Sequence, residues 1–270
     1  MYRLFIILLL LTPLSQALEL LGDARQGALV IGLVEAGSTI TLDGQAVQVA
    51  DSGRFVLGFD RDAAATAQLT VVLPGGAAQS QQLNVAPRNY RIQRVEGIAK
   101  KIMSPSSKAL EQIRQESALV RAARKVRLDR QDYAGSFTWP LRGPITGVYG
   151  SQRVYNGKPG RPHYGVDVAA PIGTPVSSPA PGLVTLAEED MFYSGGTLII
   201  DHGHGVSSTL MHLDRVLVRV GDEVVPGDIV AEVGEKGRAT GPHLDWRMNW
   251  LKARVDPQLL VPLMEPASNK

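Results

Sequence analysis

Short apolar runs separated by turn residues dominate the chain between residues 20 and 94. Segments such as 39–42 and 68–73 alternate apolar and polar positions, which is the two-residue period of half-buried strands. Asp43-Gly44 stands between two of these segments, and this pair favours the positive φ angles of a tight hairpin turn. About six or seven such strands in roughly 75 residues predict a small β-sandwich over residues 20–94.

The pattern changes between residues 95 and 135. Apolar or small residues recur at spacings of three and four over 110–120, which predicts a helix with a narrow apolar stripe. Ser104-Pro105 precedes this stripe and is typical of a helix start, with serine as the cap and proline in the first turn. Lys and Arg fill the other faces. We interpret 95–135 as a basic helical linker whose face is solvated, with contact to an anionic membrane or wall polymer as the alternative.

From residue 136 onward the apolar runs are again short and separated by proline and glycine. Runs such as 182–186, 197–201 and 228–233 have the length of strands, and no long amphipathic helical pattern follows. This predicts a compact, mostly antiparallel β domain over 136–262 and a tail over 263–270. The fold class is therefore mainly β: a C-terminal antiparallel β domain, preceded by a small N-terminal β-sandwich and a connecting helix.

The first 17 residues resemble a secretory signal peptide. Arg3 precedes the apolar run 4–11, and Ser15-Gln16-Ala17 is a small-x-small cleavage site. A membrane anchor is the alternative, but the run is shorter than the ~20 apolar residues of a span, and Pro13 interrupts it. We expect cleavage after residue 17, no transmembrane anchor afterwards, and secretion across the inner membrane to a periplasmic or extracellular location.

The amino-acid composition excludes some kinds of site and partner. The chain has 270 residues, no cysteine and a formal net charge of +2. An exported protein without cysteine has neither disulfides nor a thiolate metal site, so its stability must come from apolar cores. No basic patch with interleaved aromatic residues is present, which argues against nucleic acid as a partner. The charge is nevertheless uneven, since residues 91–130 contain eleven Lys or Arg and four Asp or Glu.

All five histidines lie in the last 110 residues, and three of them, His163, His212 and His243, stand in short motifs. On an extended chain His163 and Asp167 point to the same side, as do His243 and Asp245. Imidazole nitrogen and carboxylate oxygen are both zinc donors, and a catalytic zinc site uses three protein ligands. The alternative for such spacing alone is a surface histidine beside a turn aspartate. For the remaining pair, in the turn 201–205, a structural role is the better interpretation.

The order of the motifs resembles the lysostaphin-type metalloendopeptidases of bacterial cell walls. Three motifs carry the resemblance: His163-x-Gly165-x-Asp167, the pair His212-Leu213 after a β run, and Thr240-Gly241-Pro242-His243-x-Asp245. It extends over about 137–262 and includes the connecting stretches 168–176 and 220–228. The resemblance implies one Zn²⁺ per chain with His163 and Asp167 as ligands. It also implies a catalytic role for His212 and His243, which would flank the attacking water.

Asp245 departs from the family pattern. The closing motif of the family is His-x-His, and its second histidine is the third zinc ligand. Because a carboxylate is also a zinc donor, we expect Asp245 to be the third ligand, in a subgroup with Asp at this place. The site then carries one positive charge less, which polarises a bound water less strongly. The alternative is that Asp245 misses the metal and the site stays empty.

The resemblance implies an exported zinc metalloendopeptidase, a hydrolase that cuts peptide bonds of peptidoglycan in cell-wall remodelling. The alternative is a catalytically inactive wall-binding relative that regulates or activates another cell-wall hydrolase. Asp245 favours the alternative, whereas the presence of both His212 and His243 favours the enzyme. An extracellular scaffold with structural histidines is a third and weaker hypothesis. Loops around the groove, such as 155–160, determine which bond is cut.

Overall fold

The computed structural model describes residues 18–95, 106–155 and 157–264. The predicted signal peptide, the predicted helix start at Ser104-Pro105 and most of the predicted tail lie outside these residues. The N-terminal strands are β1 (Glu19–Leu21), β2 (Leu29–Leu33), β3 (Thr39–Leu42), β4 (Gln45–Val47), β5 (Arg54–Gly58), β6 (Thr66–Val72), β7 (Ala78–Asn84) and β8 (Ile92–Val95).

The helix α1 spans Ser107–Ala123, and short 3-10 helices follow at Asp132–Ala134 and Pro257–Leu259. The later strands are β9 (Ile145–Gly147), β10 (Gln152–Tyr155), β11 (Lys158–Pro159), β12 (Gly165–Ala169), β13 (Pro175–Ser177), β14 (Gly182–Met191), β15 (Gly195–Asp201), β16 (Val206–Val216), β17 (Glu223–Val224), β18 (Ile229–Val233), β19 (His243–Trp250) and β20 (Ala253–Val255). The predicted fold class, mainly β with antiparallel sheets and a connecting helix, is confirmed.

The N-terminal part contains two antiparallel sheets, with the strand orders β1-β2-β5 and β4-β3-β6-β7. Burial alternates along β6, where Ala67, Leu69 and Val71 face the core and their neighbours are less buried. This is the period of two that the sequence predicts. Asp43 (φ 48°) and Gly44 (φ 78°) form the predicted tight turn between β3 and β4.

A small third sheet joins the two parts of the chain. Strand β8, at the end of the N-terminal part, pairs in parallel with β10, and β10 pairs with β11. A side-chain ion pair adds to this junction, since Nη2 of Arg88 lies 2.8 Å from Oδ2 of the buried Asp256. The predicted groove loop 155–160 includes the last residue of β10 and the whole of β11, and Asn156 lies outside the described residues.

The large sheet contains ten strands, and its main path runs β17-β14-β15-β16-β19-β12-β9. Neighbouring strands on this path are antiparallel, as the turn-rich sequence predicts. Strand β15 is buried along its whole length. Leu198 and Ile200 face the main core, whereas Ile199 faces the other side of the sheet, where helix α1 covers it.

Helix α1 is the connecting helix that the sequence predicts. Its cap is Ser106, whose hydroxyl accepts a hydrogen bond from the backbone N–H of Ala109 at 3.2 Å. Val120 and Ala123 pack against Ile199 and its neighbours, and most other positions of the helix are exposed. The helix therefore lies on one face of the large sheet. None of the helices in the described part of the chain has the length and apolarity that a membrane crossing requires.

Candidate metal centre

The register of three strands places the predicted ligands side by side. Asp167 on β12 pairs with Asp245 on β19, and Asp245 pairs with Met211 on β16. Directly paired residues of neighbouring strands point to the same face of a sheet. The two carboxylates therefore share one face, although 78 positions separate them in the sequence. His163 lies two residues before β12, close to both carboxylates.

One donor atom from each of His163, Asp167 and Asp245 lies within 4.8 Å of the other two. Nε2 of His163 is 3.1 Å from Oδ1 of Asp167. Both atoms are buried, and neither makes a well-directed hydrogen bond with any group in the described part of the chain. A buried polar atom without a partner costs about 1–3 kcal/mol, and a cation between the two atoms would satisfy both. Zinc accepts imidazole and carboxylate donors, so His163 and Asp167 fit the predicted ion.

The protonation of His163 responds to opposing influences. Burial by itself lowers the pKa of His163, but the nearby carboxylates of Asp167 and Asp245 outweigh it and raise the pKa above its usual value. An imidazole must be deprotonated to bind a metal. A proton and a cation therefore compete for Nε2 of His163.

Glycines leave the space in which the carboxylates lie. A Cβ atom at Gly147 would clash with the carboxylate of Asp167, and one at Gly165 would clash with Oδ1 of Asp245 and with the side chain of Arg247. Gly165 lies between His163 and Asp167 in the sequence, but the space it leaves is occupied by residues of the neighbouring strand β19. The role of Gly147 was missed, because no local motif marks it.

The rings of His212 and His243 lie next to each other, with their centroids 4.8 Å apart. Nδ1 of His212 donates to the carbonyl oxygen of Lys236 at 2.9 Å, and Nδ1 of His243 donates to that of Gly241 at 2.7 Å. Because a carbonyl oxygen only accepts, each neutral ring carries its lone pair on Nε2. Burial lowers the pKa of His212, which favours its neutral form.

A local change of the backbone turns His212 toward this face. Met211 pairs with Asp245, so the next residue of a regular strand would point to the opposite face of the sheet. His212 has a φ of 63°, in the left-handed region, and its backbone N–H donates to the carbonyl oxygen of Ser194 at 2.8 Å. His212 lies within β16, which continues the β run that precedes it in the sequence, but the kink at that position was not predicted.

Asp245 is held by an arginine that the sequence interpretation missed. Nε of Arg247 lies 3.0 Å from Oδ1 of Asp245, and Nη2 lies 2.6 Å from Oδ2. Burial by itself raises the pKa of Asp245, but the guanidinium of Arg247 outweighs it, and the pKa lies below its usual value. The two-residue spacing on one strand, which places both side chains on one face, is the signal that could have revealed this pair.

His202 and His204 are buried away from the predicted ligands and have structural partners. Nδ1 of His202 donates to the carbonyl oxygen of Pro181 at 2.6 Å, and burial lowers the pKa of His202 to about 4. Nε2 of His204 lies 3.0 Å from Oδ1 of Asp129, which fastens the segment after α1 to the domain. The structural interpretation of this pair therefore agrees with the structure.

The model of peptidase family M23 matches residues 161–257, a range that includes every predicted ligand and both predicted catalytic histidines. Residues 161–257 are a peptidase family M23 domain. The resemblance to lysostaphin-type enzymes is thereby confirmed for this M23 domain. The identity of the residue at position 245 is a feature of this chain that the family match does not address.

Relatives of the M23 domain include two proteins of Vibrio cholerae described as peptidoglycan DD-endopeptidases. ShyA is 35% identical over 113 residues, which cover 39% of this chain and 26% of ShyA. ShyB is 40% identical over 87 residues, which cover 32% of this chain and 20% of ShyB. The matched part is thus about a quarter of the length of these relatives, or less.

A crystal structure from Pseudomonas aeruginosa, described as that of a peptidase M23, resembles a larger part of the chain. It has a TM-score of 0.70 and 26% sequence identity, and the likeness covers 88% of this chain and 95% of that one. Such coverage includes the N-terminal sheets as well as the M23 domain. The arrangement of an N-terminal β module before an M23 domain is therefore shared with that structure.

Proposed function

We propose that this protein is an exported zinc metalloendopeptidase that hydrolyses peptide bonds of peptidoglycan in cell-wall remodelling. One observation carries the proposal: unpartnered, buried donor atoms of His163 and Asp167 converge with Asp245 on the sheet face where His212 and His243 direct their Nε2 lone pairs. The predicted signal peptide supports export. The names of the Vibrio cholerae relatives support peptidoglycan as the substrate.

Zinc held by His163, Asp167 and Asp245 would supply a Lewis acid that polarises the scissile carbonyl group and activates a water molecule. The remaining steps are proton transfers by the chain itself. His212, which burial keeps neutral, is suited to accept the proton of the attacking water through Nε2. It then returns this proton to the nitrogen of the leaving amine. The Nε2 lone pair of His243, beside it, is positioned to accept a hydrogen bond from the same water and so align it for attack.

The walls of the site come from two turns on the same side of the sheet. The turn between β14 and β15 carries Tyr193, whose ring lies 5.4 Å from the guanidinium carbon of Arg238 on the facing loop. The backbone N–H of Arg238 also donates to the carbonyl oxygen of Tyr193 at 2.9 Å. These contacts fix the rim beside His212. We propose that this rim binds the substrate chain on the side of the catalytic histidines.

The inactive, wall-binding relative that regulates or activates another hydrolase is the second candidate. The observation in its favour is the ion pair between Asp245 and Arg247, because a third ligand held by an arginine is less free to bind a metal. The ordered tautomers of His212 and His243 favour the enzyme, because wall binding alone needs no such pair of lone pairs. We therefore rank the enzyme first.

Digestion of dye-labelled peptidoglycan by the purified full chain, loaded with Zn²⁺, separates the two candidates. The enzyme predicts release of dye that a chelator stops and that Zn²⁺ restores, and it predicts complete loss of release in His163→Ala. The control is Arg219→Met, an exposed arginine outside both the three ligands and the proposed rim. Binding to peptidoglycan without any release, at every divalent ion tested, would favour the regulatory relative.

A further inference from the structure

Arg247 brings a fixed positive charge into the cluster of predicted ligands. Its guanidinium contacts both carboxylate oxygens of Asp245 through three donor–acceptor distances between 2.6 and 3.1 Å. The Asp245 side chain is 3% exposed, whereas that of Arg247 is 27% exposed and reaches solvent. The pair is therefore a buried carboxylate neutralised by a cation that has a path out of the site.

Two further arginines, Arg124 and Arg254, lie near Arg247. Thr209 pairs with Arg247 across β16 and β19, and Nη2 of Arg124, from the end of α1, donates to the Thr209 hydroxyl at 2.9 Å. Burial, followed by the positive charges of Arg254 and Arg247, lowers the pKa of Arg124 to about 9. Arg247 thus has two cationic neighbours, which favour its place beside the carboxylate of Asp245.

A divalent cation at the site would need the same carboxylate. An ion between His163 and Asp167 reaches its third ligand only through an oxygen of Asp245, and both of these oxygens already accept from Arg247. The guanidinium also repels a second cation close to it. Without both a metal and Arg247, however, Asp245 would be a buried charge with no partner, which is strongly unfavourable.

We propose that Arg247 is an internal counter-ion that competes with the metal for Asp245. In the metal-free protein the guanidinium neutralises Asp245, and binding of the metal weakens that ion pair. This inference rests on the proposed function in one respect, namely that His163, Asp167 and Asp245 are the ligands. Because Arg247 competes for Asp245, the affinity for Zn²⁺ is lower than the three ligands alone would give. The fraction of the protein that holds metal therefore depends on the zinc concentration.

Calorimetric titration of the metal-free full chain with Zn²⁺, with a competing chelator of known affinity, tests this inference. Replacing Arg247 by Met removes the competing cation, so the Kd for Zn²⁺ should fall at least tenfold. Arg247→Lys keeps the charge but not the bidentate geometry and should lie between wild type and Arg247→Met. Arg219→Met removes an exposed positive charge outside the site, and its Kd should equal that of wild type.

Thermal unfolding provides a second readout and shows whether the variants fold. Arg247→Met leaves Asp245 without its partner, so the metal-free variant should unfold at a lower temperature than wild type. Zn²⁺ should then raise its Tm by more than it raises that of wild type. If Arg247→Met does not fold without metal, Arg247→Gln, which keeps a hydrogen-bond donor without the charge, replaces it in both measurements.

The outcomes separate this inference from the proposed function. Wild type and Arg247→Met binding Zn²⁺ with the same Kd would overturn the inference and leave the enzyme standing. Binding by Arg247→Met alone would support the inference and contradict a zinc enzyme in the wild-type chain. Weaker binding by Arg247→Met would show that Arg247 assists the site, contrary to the inference. Absence of binding in both would overturn both proposals.

Discussion

The rings of His212 and His243 lie 4.8 Å apart, although a regular strand would direct them to opposite faces of the sheet. The positive φ of His212 reverses the direction of its side chain and brings the two rings together. A residue other than glycine in the left-handed region is strained by about 1–2 kcal/mol. The fold therefore accepts local strain to place the second histidine beside the predicted ligands.

Replacing His212 separates its chemical role from its backbone strain. We expect both His212→Ala and His212→Gly to lose peptidoglycan hydrolysis by at least about 100-fold, because the proton acceptor is gone. The glycine variant should be more stable than the alanine variant by about 1 kcal/mol, since glycine adopts a positive φ without strain. Urea unfolding measures this difference. An alanine variant that is the more stable of the two would contradict a strained backbone at this position.

Gly147 should be as important for metal binding as a ligand. Gly147→Ala places a methyl group where the carboxylate of Asp167 lies, so the carboxylate must move. We expect the affinity for Zn²⁺ to fall by at least about tenfold, because a shift of about 1 Å spoils a coordination bond. Gly241→Ala is the matched control, since a Cβ there meets nothing within 4 Å and its φ is not positive. Equal affinities of the two variants would show that Gly147 does not position Asp167.

Asp201 should make stability depend on pH. Burial raises the pKa of Asp201 from 3.8 to about 6 in the folded protein. At low pH the carboxyl group of Asp201 is protonated in both the folded and the unfolded protein. Above about pH 6 it is charged in both, and because the charge is buried only in the folded protein, the free energy of unfolding is roughly 3 kcal/mol lower than in acid. Asp201→Asn should therefore be more stable than wild type at pH 7.5, and this advantage should shrink toward pH 4.

Urea unfolding at both pH values measures the advantage of Asp201→Asn. His202, whose pKa is lowered to about 4, destabilises the folded protein in acid, so only the difference between variant and wild type isolates Asp201. Asp51→Asn, at an exposed position, serves as the control. An advantage of Asp201→Asn that does not change with pH would show that its carboxyl group has an ordinary pKa.

Asp245→His, which restores the closing motif of the family, should act together with a change at Arg247. In the single variant the new imidazole lies beside a guanidinium that has lost its carboxylate, and this charge opposes metal binding. We expect Asp245→His with Arg247→Met to bind Zn²⁺ about tenfold or more tightly than Asp245→His alone. Calorimetry on the two single variants and the double variant gives the coupling between the positions. Strict additivity would mean that the two side chains act independently.

Local patterns were sufficient for the strands and for the hairpin turn at Asp43-Gly44, because alternation and turn chemistry depend on neighbours in the sequence. The four-residue spacing of His163 and Asp167 was likewise sufficient to predict that their side chains point to the same side of an extended chain. The contacts that could not be predicted depend on register between distant strands. Gly147 matters only because β9 lies beside β12, and helix α1 covers Ile199 only because of how the sheet is packed.

The contact between Arg247 and Asp245 could be predicted only in part. The spacing of the two residues was visible in the sequence, and a strand places both side chains on one face. The distance between the charges was nevertheless not predictable, because it depends on the space that Gly165 leaves on β12. The effect of an aspartate at position 245 on metal binding therefore depends on Arg247, which forms an ion pair with it.

The most direct test of the metal centre is the position of zinc in crystals of the full chain grown or soaked with Zn²⁺. Anomalous scattering at the zinc edge locates the ion without assumptions about its ligands. We predict one peak per chain about 2.0–2.2 Å from both Nε2 of His163 and an oxygen of Asp167, with Asp245 completing the site. A zinc-soaked crystal with no peak between these two atoms, and with His163 and Asp167 unchanged, would contradict the account.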